Sequence, residues 1–248
     1  ANNSESIYRH SFVANYFVYD LTTKQLTEVA DYKIQEPTFS PDGKKIAYAF
    51  ENNLYVTDLI SKATIQITTD GKKNSIINGT TDWVYEEEFA FVRAFDWNKD
   101  SNKIAYIRFD ESNVPEFSMD VYGSSLYPSQ DVFKYPKAGE TNASVSLHIF
   151  DLETTKTTPV DLSKYNDFYI ARLQWTNDAN TLSAQVLNRH QNKLDLLFID
   201  GKTASYSVAL QETDKAYVDV TDNLTFLDDN SFIWTSEKDG YNHIYHYD

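Results

Sequence analysis

The sequence predicts an all-β fold, a β-propeller of four-stranded antiparallel blades, and three observations carry that prediction. A polar turn led by an aromatic residue recurs four times along the chain. An alternating strand running into an Asp-led hairpin recurs between and beyond those turns. No stretch shows the 3.6-residue apolar spacing that a helical repeat would need. Strands and turns repeating every 50 to 80 residues are the pattern of propeller blades. A β-sandwich with coincident turns is the competing arrangement of the same elements.

The chain enters through Tyr8–Tyr19, read as a strand that ends in the first Asp-led turn, Tyr19-Asp20-Leu21. Asp suits such a place because its carboxylate accepts the backbone N–H two residues on. The first aromatic turn is Thr38-Phe39-Ser40-Pro41-Asp42-Gly43, with strand Ile46-Ala47-Tyr48 starting seven residues after Phe39 and Thr57-Asp58-Leu59 closing the repeat. Asp96-Trp97-Asn98 leads in the same way to Ile104-Ala105-Tyr106 and then Phe150-Asp151-Leu152. Gln174-Trp175-Thr176 leads to Leu182-Ser183-Ala184 and Ile199-Asp200-Gly201. After Thr225-Phe226-Leu227 the strand Phe232-Ile233-Trp234 arrives one residue early, and Tyr247-Asp248 follows. The four aromatics Phe39, Trp97, Trp175 and Phe226 are expected in the blade cores. About four blades are present. A propeller is stable through closing its ring, so the chain is expected to be a piece of a larger polypeptide.

Two repeats are too long. Phe39 to Asp58 is 19 residues, whereas Trp97 to Asp151 is 54. Asp20 to Phe39 is 19, whereas Asp58 to Trp97 is 39. The excess marks insertions at 75–92 and 109–140, and long connections on a regular scaffold are where function concentrates.

The first insertion holds Asn78-Gly79-Thr80-Thr81-Asp82-Trp83-Val84-Tyr85-Glu86-Glu87-Glu88-Phe89. Asn-Gly is a turn signal, Thr81 or Asp82 is a good N-cap, and the rest suits one or two helical turns. Successive residues on a helix project about 100° apart, so two neighbouring Glu can flank one ligand. Paired carboxylates repel and call for a cation between them. The competing arrangement is a solvated acidic face near a helix N-terminus, favoured by the dipole.

Composition narrows the function classes. The chain has 248 residues, 22 Lys+Arg against 37 Asp+Glu, and a formal net charge of −15. Such a charge argues against a nucleic-acid partner. With 41% hydrophobic and 15% aromatic residues the chain is far from a disordered composition. It has no Cys, so neither disulfides nor thiolate metal sites arise. His243 and His246 lie three apart on an expected strand and face opposite sides, a poor metal pair. No phosphate loop, dinucleotide fingerprint or other cofactor motif is found, and the seven glycines include no pair spaced as in a Gly-x-Ser-x-Gly nucleophile elbow. Ser124 and Ser125 read as loop serines. Asn2, Asn78, Asn142 and Asn223 each open an Asn-x-Ser/Thr triplet.

Asp82-Trp83-Val84-Tyr85-Glu86-Glu87-Glu88 resembles the double-glutamate motif of the dipeptidyl peptidase IV family of prolyl oligopeptidase-type serine peptidases. Tyr8-Arg9-His10-Ser11-Phe12, Asn53-Leu54-Tyr55-Val56, Tyr135-Pro136-Lys137-Ala138-Gly139 and Asp239-Gly240-Tyr241-Asn242-His243-Ile244 resemble further family segments in the same order. The likeness weakens over 180–235. It implies the N-terminal portion of an eight-bladed propeller joined, beyond this chain, to an α/β-hydrolase domain, in an exopeptidase that releases Xaa-Pro or Xaa-Ala dipeptides. By motif position Glu87 and Glu88 would hold the substrate's α-ammonium and Arg9 the carbonyl of its second-from-scissile residue, with Glu86 a bystander. Residues 109–140, which by themselves could be an ordinary covered loop, would form an arm used in homodimer contact and in shaping the active-site edge. Family members are typically secreted, periplasmic or membrane-anchored, and the lack of Cys sits better with bacterial ones. The other class left open is a non-catalytic propeller, either a protein-binding module or a homologue without its triad.

Overall fold

Twenty-two strands and one short helix make up the fold in the computed structural model, which describes residues 1–248. Two compact units form: Ala1–Thr38, Ile46–Arg93 and Arg108–Ser144 in one, Phe39–Lys45, Ala94–Ile107 and Val145–Asp248 in the other. Strand β1 (Asn2–Ser6) pairs antiparallel with β2 (Phe12–Asn15), and β3 (Phe17–Tyr19) with β4 (Leu26–Glu28). A four-stranded sheet follows in chain order: β5 (Gln35–Phe39), β6 (Lys45–Phe50), β7 (Asn53–Asp58) and β8 (Thr64–Gln66). Next come β9 (Ile76–Asn78), helix α1 (Trp83–Glu88), β10 (Phe95–Trp97) and β11 (Lys103–Asp110). A separate hairpin joins β12 (Glu116–Val121) to β13 (Ser129–Lys134) before β14 (Ser144–Asp151) and β15 (Lys156–Pro159) complete the sheet β10-β11-β14-β15, on whose β11 the short β9 also pairs. The most regular sheet is β16 (Phe168–Trp175), β17 (Thr181–Asn188), β18 (Lys193–Asp200) and β19 (Tyr206–Thr213). Last, β20 (Thr225–Phe226), β21 (Phe232–Ser236) and β22 (His243–Tyr247) form a three-stranded sheet. These successive antiparallel meanders are propeller blades.

The repeated motifs become repeated hydrogen bonds. Asp20, Asp58, Asp151 and Asp200 each accept, through Oδ1, the backbone N–H groups two and three residues on, at 2.7–3.0 Å. In each hairpin the fourth residue after the Asp (Lys24, Lys62, Thr155, Ala204) takes a positive φ. The aromatic turns close the same way, from Ser40 N to Lys45 O, Asn98 N to Lys103 O and Thr176 N to Thr181 O. In the fourth turn Leu227 N donates to Ser231 O, one residue sooner, as the sequence spacing requires. Gly201 follows the Asp of its turn because a Cβ there would sit 3.0 Å from the Trp175 ring.

Each unit has its own core. In the first, Val29, Ile34, Ile46 and Tyr48 pack with Tyr32, Phe50 and Tyr55 around them. The hydroxyls of Tyr32, Tyr48, Thr57 and Thr64 form one chain of hydrogen bonds there, so none of these four is stranded. In the second, Ile104, Ile170, Leu182, Leu194, Leu196 and Leu197 are fully buried. Trp97 and Trp175 lie inside, as expected of blade aromatics. Trp175 is fixed at both nitrogens, its amide to Asp96 Oδ2 and its indole to Asp96 O.

Several expectations need correction. Phe39 is 51% exposed and is no core residue, because the last position of β5 faces outward. Phe226 is half-buried against Phe198 and Phe232. Tyr8–Tyr19 is not one strand: residues 7–10 form a turn and only β2 and β3 are extended. The strand β1 that pairs ahead of that turn was not legible, since Asn2–Ser6 is wholly polar and exposed.

Candidate functional site

The first insertion folds as a loop with a helix at its tip. Gly79 takes φ +75°, which turns the chain out of β9. Thr80 bridges to Arg93, Thr81 N donates to Val92 O at 3.1 Å, and Thr81 Oγ1 donates to Phe91 O, so the two ends of the loop are zipped together. Asp82 is the N-cap of α1, its carboxylate accepting from Tyr85 N at 3.0 Å. The helix stops at Phe89, and Ala90 follows with φ +58°. Tyr85 roots it: the ring is buried and packs on Phe89, Phe91 and Phe109 at centroid distances of 5.0, 5.8 and 4.8 Å.

Three motifs far apart in sequence meet here. Trp83 of α1 packs on Tyr135 at 4.4 Å, and Tyr8 packs on Phe133 at 5.9 Å. Arg9 Nε donates to Glu87 Oε1 at 3.1 Å. The Arg9 side chain is 71% exposed and that of Glu87 18%, while Glu88 stands in solvent beside them. Sequence reasoning named Arg9, Glu87 and Glu88, and the fold brings Arg9 and Glu87 into contact with Glu88 next along the helix.

The solvated-face alternative fails for Glu86, while Glu88 is exposed as that alternative expects. Glu86 is 1% exposed, its Oε1 accepting from His10 N at 2.6 Å and Ser11 N at 3.0 Å. Glu87 and Glu88 close the helix at its C-terminal end, where the dipole disfavours negative charge rather than stabilising it. Two carboxylates placed there gain from a cation.

Sequence reasoning read Asp82 only as a cap and gave Glu111 no role, yet both acids are buried under this surface. Asp82 and Glu111 are 5% and 3% exposed. Burial pushes Asp82 up to about 6, against the N–H groups that it caps. Burial first, then the charge of Asp82, pushes Glu111 up to about 7, with Lys134 opposing. Tyr8 is raised by burial and by the surrounding carboxylates Glu111, Asp82, Glu86 and Asp131. Lys134 donates to Val114 O at 2.9 Å and lies 3.5 Å from Glu116. No spacing rule marks Glu111, which lies at the start of the second insertion between β11 and β12 and belongs to no motif. A cavity of about 700 Å³ opens beside the turn, with walls that include Tyr8, Ser11, Thr81, Glu111 and Phe133, but not Arg9, Glu87 or Glu88.

Both buried acids bind protons more tightly in the folded than in the unfolded chain. The stability they contribute is therefore complete below about pH 4 and is lost as pH rises through about 6 to 7. Asp82→Asn keeps the cap acceptor without the charge. Its urea-unfolding free energy is expected to fall less between pH 5 and pH 8 than that of the parent, by roughly 1–3 kcal/mol. Equal falls in parent and variant would show that Asp82 carries no buried-charge penalty.

The second insertion is a hairpin in unbroken register from Glu116↔Lys134 to Val121↔Ser129. Phe117, Phe133 and Tyr135 cluster on it, while Tyr122, Leu126 and Tyr127 at its tip are 80%, 91% and 78% exposed. Ser124 and Ser125 lie in that tip loop. Asn78 is fully buried, its amide nitrogen donating to Asn52 O and Asp70 Oδ1, so its glycosylation triplet is structural. His243 and His246 turn to different partners, Asp239 and Ser231.

The family described as "Dipeptidyl peptidase IV (DPP IV) N-terminal region" matches residues 1–248. Among solved structures, the crystal structure of Porphyromonas gingivalis dipeptidyl peptidase 4 superposes with a TM-score of 0.95 at 40% identity, covering 99% of this chain and 36% of that one. Dipeptidyl peptidase 4 of Felis catus is 35% identical over 201 residues, 75% of this chain and 26% of its own length. Inactive dipeptidyl peptidase 10 of Rattus norvegicus is 30% identical over 228 residues, 88% of this chain and 28% of its own length. The chain thus spans roughly a third or less of such relatives.

Proposed function

This chain belongs to the dipeptidyl peptidase IV family, in its N-terminal region, and on that premise we propose that it is the propeller portion that gates and anchors substrates in a serine exopeptidase releasing Xaa-Pro or Xaa-Ala dipeptides. The observation that carries the proposal is the Arg9–Glu87 pair at 3.1 Å with Glu88 exposed beside it. A peptide's free α-amino group has a reference pKa of about 7.7–8.0 and is mostly protonated at pH 7, with three N–H donors. Glu87 and Glu88 are its charge-assisted acceptors, and Arg9 donates to the carbonyl of the second-from-scissile residue. An internal peptide segment brings no such cation and would leave the carboxylates unpaired, which rejects it. The fixed distance from anchor to nucleophile makes the site a two-residue ruler. The nucleophile belongs to an α/β-hydrolase domain outside this chain. The exposed hairpin 116–134 is the arm of a homodimer, and the compartment is periplasmic or extracellular.

The test uses the full-length protein and an Xaa-Pro chromogenic substrate with its N-terminus free or acetylated. Acetylation is expected to lower kcat/KM by at least about a hundredfold, since it removes the cation. Equal turnover of the two would refute the anchor. The relative named inactive supports a second reading, a non-catalytic homologue. A Gly-x-Ser-x-Gly elbow followed by Asp and His in the longer reading frame decides between them.

A further inference from the structure

We propose that Glu86 is a positioning residue, whose carboxylate staples the turn formed by residues 7–11 onto α1 and so sets Arg9 against Glu87. The proposal rests on the substrate-anchoring reading for its consequence, but not for its geometry. Glu86 and Glu87 are neighbours on one helix, and the rotation of about 100° between them turns one inward and leaves the other at the surface. The inward carboxylate accepts from two successive amides, His10 N and Ser11 N, across 76 and 75 residues of sequence. Ser11 then accepts twice from the start of the same turn, Tyr8 N to its Oγ at 3.1 Å and Ile7 N to its carbonyl at 2.9 Å. Four of the turn's amides are thereby fixed through Glu86 and Ser11.

Arg9 cannot do this by itself. Its side chain is 71% exposed and makes a surface ion pair, a weak restraint in water. Two charge-assisted bonds to a buried carboxylate are a strong one. The second oxygen, Glu86 Oε2, is buried with no hydrogen-bond partner, so the acid sits there at a desolvation cost that packing alone would not require. The aim of Arg9 is therefore set by backbone held from beneath, and a misplaced turn would displace both the guanidinium and the carboxylate it orients.

Glu86→Ala in the full-length protein is expected to raise KM for a free-N-terminus Xaa-Pro substrate by about tenfold or more while kcat changes less than about threefold. In an Arg9→Ala background the same substitution is expected to add less than about twofold, because the residue that it positions is already gone. Glu86→Gln, whose amide oxygen can accept the same two bonds, is expected to stay within about threefold of the parent. Hydrogen exchange over residues 7–12 is expected to accelerate in Glu86→Ala and to remain slow in Glu86→Gln. Unchanged exchange in Glu86→Ala overturns the staple, as does a tenfold KM effect that persists undiminished without Arg9. Should Glu86→Ala not fold, Ser11→Ala removes the Tyr8 N acceptor, and its KM effect must likewise vanish in the Arg9→Ala background. If the parent protein turns over no dipeptide substrate, the anchoring reading fails, and exchange over 7–12 still decides the staple.

Discussion

Replacing Glu87 by Ala in the full-length protein lowers kcat/KM on an Xaa-Pro substrate by at least about tenfold, the expected result if a charge-assisted bond worth about 1.5–3 kcal/mol is lost from the anchor. Two effects combine at this position. On the proposed anchoring the substrate's ammonium loses an acceptor, and Arg9 loses the partner 3.1 Å from its Nε. Exposed as it is, the freed guanidinium would sample many rotamers. The loss should track the free amino group: turnover of an N-acetylated analogue, already slow, should hardly change. Unchanged turnover of the free substrate in Glu87→Ala would sink the assignment.

The largest stability effect is expected at Tyr85. Its ring is 2% exposed and touches Phe89, Phe91 and Phe109. Truncating a buried aromatic to Ala costs about 3–5 kcal/mol through lost burial and the cavity left behind. Because α1 has only six residues, it is too short to persist without that packing. Chemical denaturation of Tyr85→Ala should show the loss, and Tyr85→Phe should cost less than about 1.5 kcal/mol because the ring remains. A Tyr85→Ala variant as stable as the parent would mean that the helix is held by its caps instead.

Local chemistry made much of the fold readable. An Asp whose carboxylate accepts the N–H groups two and three residues on shapes its own hairpin, so Asp20, Asp58, Asp151 and Asp200 announced four turns without reference to anything distant. The early arrival of Phe232 was likewise visible as spacing and reappears as a turn one residue shorter. Asp82 was readable as a cap for the same reason. Exposure was less readable. Phe39 shares the motif of Trp97 and Trp175 yet faces outward, because what covers a strand end depends on neighbours that the motif does not encode.

The candidate site divides along the same line. Arg9, Glu87 and Glu88 could be singled out from a run of acids and a likeness of motif, and the fold places Arg9 against Glu87. Motif position set Glu86 aside as a bystander but gave no sign that it is buried, nor could Glu111 be told from any surface acid, since identical side chains differ only in what surrounds them. Sequence alone determined what bonds within a few residues can dictate: strand periods, Asp-led turns, the cap of α1 and the sites of the two insertions. Tertiary structure alone decided which of three consecutive glutamates is buried against backbone amides, which pairs with arginine and which meets solvent. Burial and long-range hydrogen bonds are properties of the packed chain, and no residue carries them in its own identity.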